Sequence, residues 1–182
     1  MKLYTLLLAL AAPFVTIAQW SPDVKVIDSK ANDAVTVSGD LGTGKIIEDL
    51  SWASNSANAC FVETQYNKFR GHHVFFTTTI PAHSVMTISV KPVNKSGNLS
   101  LYGYMSGMEV NYLVPDLPKC ITCEADYKWE GEWKGKKQTS ERKIEFNNPT
   151  DGPFSIVIGV TGPKGITTGL FNLKVKVKSQ RI

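Results

Sequence analysis

The sequence predicts an all-β protein, folded as an antiparallel two-sheet β-sandwich. Three observations predict it. Apolar residues recur at every second position over most of the chain beyond residue 70, the period of a half-buried strand. Turn-forming clusters separate these runs at short intervals. Helical periodicity is nearly absent beyond the first eighteen residues.

The runs follow in order. Val74, Phe76, Thr78 and Ile80 share one face of a strand, and Met86, Ile88 and Val90 line the next, with Pro81–Ser84 as the turn between them. Leu99 and Leu101 follow a polar turn at Asn94–Gly97. Phe154, Ile156, Ile158 and Val160 alternate with Ser155, Val157 and Gly159, and Phe171, Leu173, Val175 and Val177 alternate with Asn172, Lys174 and Lys176. Residues 149–152 and 162–165 are Pro- and Gly-bearing turns. Many short strands at such spacing favour a sandwich. Before residue 60 the pattern is weaker: Val24–Ile27 and Ala34–Val37 read as short strands, and Lys45–Leu50 as a strand or one helical turn. Residues 106–143 read as a long, decorated connection. Trp52, near Cys60, is expected as an added core ring.

Residues 1–18 read as a secretory signal peptide: Lys2, then an apolar run from Leu3 to Ala12, then Thr16-Ile17-Ala18 with small residues where a signal peptidase needs them. The run is shorter than the roughly 20 residues a membrane span takes. No other segment could cross as a helix, and no cysteine follows the cut to carry a lipid. The expected domain is residues 19–182, in a secreted, periplasmic or surface location. The whole chain of 182 residues carries a formal charge of +4, and its basic residues are scattered. Lys174, Lys176 and Lys178 alternate along one strand and read as a solvated face that discourages edge pairing. Nucleic-acid binding is not expected.

The segments His73–Tyr104 and Arg142–Val177 carry more than alternation. The first reads strand, Pro-containing turn, a strand with M-x-I-x-V, then G-N-L-S-L-Y-G-Y. The second reads I-E-F, a Pro-Gly turn, F-S-I-V-I-G-V, a Gly-rich turn, then G-L-F-N-L-K-V-K-V. Together they resemble the bacterial pre-peptidase C-terminal domain. The resemblance implies a jelly-roll-like sandwich of the kind attached to secreted hydrolases. It also implies a non-catalytic role in secretion, anchoring or substrate contact. The chain departs from that family at His72-His73, where an acidic residue is usual, and in showing no catalytic domain beside it.

Three cysteines follow the leader: Cys60, Cys120 and Cys123. An oxidising compartment favours a disulfide, and three pairings are open. Bridging Cys60 to Cys120 or Cys123 closes a loop of about 60 residues, worth about 4 kcal/mol in the chain-entropy model. Cys120 with Cys123 forms a local CxxC ring, which opens a redox reading, although no helix follows it as that chemistry normally requires. A zinc site would need Cys60 and a histidine to complete it. A metal- or thiol-dependent protein using these three cysteines is therefore the alternative to a simple staple. His72 and His73, adjacent on a strand, point to opposite sheet faces and do not share a metal.

Other motifs are weaker. Residues 39–45 mimic a phosphate loop, but Ile46 stands where Ser or Thr would hold the metal, so they read as a Gly-rich turn. No nucleophile elbow and no H-E-x-x-H occurs. Asp126, Glu130 and Glu132 lack the spacing of a calcium loop. No cofactor and no catalysis are expected. Tyr127, Trp129 and Trp133 share one face if residues 126–134 are extended. Such rings either stack on sugars or cap the core. The function expected is a non-catalytic secreted binding module, for a carbohydrate or a cell-surface protein, with Tyr127, Trp129 and Trp133 as the binding residues.

Overall fold

The computed structural model describes residues 20–132, 135 and 137–180. The expected leader and its cleavage point, and Trp133, lie outside these residues. Among the described residues ten strands form: β1 (Lys25–Val26), β2 (Ala34–Asp40), β3 (Lys45–Ile46), β4 (His72–Ile80), β5 (Ser84–Pro92), β6 (Ser100–Ser106), β7 (Thr122–Asp126), β8 (Arg142–Asn148), β9 (Phe154–Thr161) and β10 (Leu170–Ser179). One sheet has the order β1-β4-β9-β6-β7, with β3 also paired to β4; the other has the order β2-β10-β5-β8. The ladders are antiparallel except for β1 on β4, which is parallel. Lys45–Leu50 thus resolves into a two-residue strand, and Val24–Ile27 into another.

The two sheets bury the faces that the alternation marks. Val74, Phe76 and Ile80 from β4 meet Met86, Ile88 and Val90 from β5, with Ile156, Ile158 and Val160 from β9 and Phe171, Leu173, Val175 and Val177 from β10. Each such side chain stabilises the fold by about 1.5–3 kcal/mol when fully buried. Gly39 sits in this layer because a Cβ there would fall 2.3 Å from the Phe171 ring. The Gly-rich turn after it is a short 3-10 turn, Leu41–Thr43, capped by the Asp40 carboxylate accepting from Gly42 N at 2.8 Å. Its glycines answer to packing; Gly44 lies against the His73 carbonyl.

A second core lies on the outer face of the larger sheet. Tyr102, Tyr104 and Val157 point outward there, and residues 50–69 and 113–127 fold over them. Two further 3-10 turns, Ser51–Ser54 and Glu63–Lys68, replace the helices and strands that these segments lack. They deliver Trp52, Phe61 and Phe69 onto Tyr102. Phe61 and Phe69 stack at 3.9 Å between centroids. Trp52 is a core ring, as expected, in this second core. The Asn58 carboxamide donates to the carbonyls of Trp52 and Leu117, both at 3.2 Å, joining the two covering segments. Cys60 is bonded to Cys123, which fastens the cover to β7.

The smaller sheet has no such cover. Its outer residues include Thr36, Ser38, Thr87, Ser89, Lys91, Lys143, Glu145, Asn172, Lys174 and Lys176, the polar half of the alternation.

Candidate functional site

Of the three possible disulfides the structure forms Cys60–Cys123, across 63 residues of sequence. The CxxC ring does not form. Cys120 keeps a free, half-buried thiol whose Sγ lies 3.5 Å from the Asn58 carbonyl. Burial pushes this thiol up, so it is held protonated, the unreactive form. Among the described residues no group of three His, Cys, Asp or Glu side chains is placed to hold a metal ion. The cysteines therefore act here as a staple and a packed thiol, with neither the zinc nor the dithiol geometry of the alternative.

The histidines separate as their strand positions require. His72 Nδ1 lies 3.1 Å from the Leu41 carbonyl, and His73 turns into the second core, where both ring nitrogens are bonded.

Among the described residues the surface carries several concavities, three of which bear on function. The first, about 470 Å³, opens where β3 meets the start of β4 and β1 its middle, along the same edge. Ile46, Ile47, Phe75, Leu113 and Val114 line it. Its charged and polar side chains are largely engaged already. Lys45 Nζ lies 2.8 Å from Asp23 at its rim, and His73 is held inside the fold.

The second, about 490 Å³, holds Trp129. The aromatic row of the sequence breaks up at this point. β7 ends at Asp126. Tyr127 folds back edge-on to Phe69, 5.7 Å between centroids, and joins the second core as a half-buried ring. Trp129 follows on the cleft wall, also half-buried. Its backbone is gripped by one side chain: Gln138 Oε1 accepts from Trp129 N at 3.0 Å, and Gln138 Nε2 donates to Trp129 O at 2.6 Å. This pair of hydrogen bonds imitates a strand ladder where the chain has left its sheet. The other walls are Lys68, Asn98, Lys128, Glu130, Glu132 and Lys137. Lys68 reaches Glu130 at 3.0 Å. Sequence reasoning missed Lys68, Asn98 and Gln138, which arrive from separate connections with no local motif.

The third concavity, about 630 Å³, lies on the uncovered face of the smaller sheet.

Fold and site together define a class: an all-β, two-sheet sandwich with an aromatic second core and an aromatic-walled polar cleft. No protein-family model matches the chain, and no curated protein matches it. Among solved structures it is similar to the pre-peptidase C-terminal domain of collagenase from Bacillus anthracis, with 14% identity over 87% of this chain and 99% of that chain and a TM-score of 0.39. It is similar to PliG of Aeromonas hydrophila, a periplasmic lysozyme inhibitor of g-type lysozyme, with 9% identity over 85% and 97% and a TM-score of 0.40. It is also similar to CorA, a surface-associated copper-binding protein important in copper acquisition in Methylomicrobium album BG8, with 14% identity over 86% and 98% and a TM-score of 0.44. The first belongs to the family that the strand and turn pattern resembles. These likenesses concern fold, and no ligand is carried over from them.

Proposed function

We propose that this chain is a non-catalytic, exported binding module that takes a carbohydrate at the Trp129 cleft. The observation that carries the reading is the Gln138 clamp. It fixes the backbone of Trp129, whose indole stands half-exposed at the wall of a cleft otherwise lined by amides, amines and carboxylates. A ring so placed stacks on the apolar face of a sugar, and the surrounding donors and acceptors meet its hydroxyls. The lining residues include no Ser, Cys or His to act as nucleophile or base. Glu130 is ion-paired with Lys68, and its side chain is 92% exposed. That is the reverse of the desolvated acid a glycoside hydrolase uses. The disulfide supports an oxidising compartment, hence export.

A protein partner is the second reading, favoured by exposed Met108, Tyr112 and Ile121 on the β6–β7 connection. A glycan array probed with the wild type and with Trp129→Ala separates the two. The glycan reading expects a neutral-glycan hit that the substitution removes; a neutral-glycan hit that survives it, or no neutral-glycan hit, overturns the site.

A further inference from the structure

The uncovered face of the smaller sheet carries more lysine than its acids neutralise, arranged in rows. One row runs Thr36, Lys174, Ser89, Lys143 across all four strands, in register. The next places Lys176 beside Thr87, and Thr87 beside Glu145. Glu141 is engaged by Lys91 at 3.2 Å, and Glu145 accepts from Thr87 at 3.2 Å. Among the described residues, no acidic side chain forms an ion pair with the ammonium groups of Lys143, Lys174 or Lys176, although the Asp126 carboxylate accepts from Lys143 N at 2.8 Å. Strand spacing sets Lys174 and Lys143 about 10 Å apart, and Lys174 and Lys176 about 7 Å apart. The Ser89 hydroxyl stands between Lys174 and Lys143, with Thr36 on the other side of Lys174 and Thr87 beside Lys176. Residues from Thr139 to Lys143 wall one side, making the face concave.

We infer that this face is a second binding surface, for an acidic glycan. The excess positive charge calls for an anionic occupant. The hydroxyls beside the lysines suit a polyhydroxylated chain. No aromatic ring lines the concavity for base stacking. Nor does any apolar side chain line it that could enter a bilayer. The carboxylates or sulfates of a sugar chain would bridge Lys174 and Lys143 along one row, with the third lysine beside it. The site is independent of the Trp129 cleft: it shares none of that cleft's lining residues.

Affinity electrophoresis tests it with polygalacturonate and dextran sulfate in the gel, unmodified dextran as the neutral control, and single-stranded DNA as the competing polyanion. The full chain is expected to be retarded by the acidic glycans and not by dextran. Retardation should fade at about 0.5 M salt, where screening is nearly complete. The triple substitution Lys143→Gln, Lys174→Gln, Lys176→Gln should weaken it about tenfold or more, whereas Trp129→Ala should leave it unchanged. Should the triple variant melt early, Lys174→Gln alone is read and is expected to bind measurably more weakly. Equal retardation of wild type and lysine variant, no retardation by either acidic glycan, or equal retention by DNA would overturn the proposal.

Discussion

His73 Nδ1 accepts a hydrogen bond from the Tyr102 hydroxyl at 2.9 Å, because Nε2 must donate to the Phe69 carbonyl, 2.7 Å away. The pair fixes one neutral tautomer. It ties β4 to β6 and to the end of the covering segment. In the protonated ring Nδ1 carries a hydrogen, so the Tyr102 hydroxyl would have to turn round and accept instead of donating. Burial pushes the His73 imidazolium down to about 4, opposed in part by the bond to Phe69 and aided by His72. A base with a lowered folded pKa binds fewer protons folded than unfolded as the pH drops. Stability should therefore be full above the ordinary histidine value and fall as the pH is lowered from about 6.5 to 4. Across that window the loss is on the order of 3 kcal/mol, since a tenfold change in proton affinity is worth about 1.4 kcal/mol. Denaturant unfolding over the same pH range reads the slope. His73→Gln should be less stable at neutral pH and should lack this component of the slope.

Gly159 lies in the strand next to Tyr102, and a Cβ there would sit 2.2 Å from the ring. Gly159→Ala therefore has to displace a fully buried phenol. The expected loss is about 2–3 kcal/mol, measured by chemical denaturation. It should affect the second core first, so near-ultraviolet circular dichroism of the aromatic rings should change more than the strand signal.

Reduction should release the cover from β7. Closing 63 residues of sequence contributes about 4 kcal/mol in the chain-entropy model, so reductant should lower the denaturation midpoint markedly. Peptide mapping of the unreduced protein should recover Cys60 linked to Cys123 and Cys120 alone taking an alkylating agent. Slow alkylation of Cys120 in the folded state, accelerating on unfolding, is expected from its raised pKa and partial burial.

The sandwich was legible in the sequence because one-sided burial leaves a period of two, as in Phe171-Asn172-Leu173-Lys174-Val175-Lys176. The second core was not, because its covering residues arrive on 3-10 turns and irregular chain, where no period exists to count. A signal was present in the strands beneath it. Leu101-Tyr102-Gly103-Tyr104-Met105 and Ile156-Val157-Ile158 are apolar on both faces, which marks strands covered on both sides. The aromatic row divided for a related reason: the extended geometry that would align Tyr127 with Trp129 ends at Asp126. Tyr127 then packs inward, and Trp129 is held by a glutamine nine residues on.

Stacking of Trp129 on a sugar is read most directly from its indole N–H. The sequence has four tryptophans, so four indole N–H resonances can be followed by NMR as an array-positive glycan is titrated in. The Trp129 indole should shift with saturation, buried Trp52 should stay in place, and Gln138→Ala should weaken the titration by freeing the Trp129 backbone. A Trp129 resonance that stays fixed while a neutral glycan binds would overturn the site.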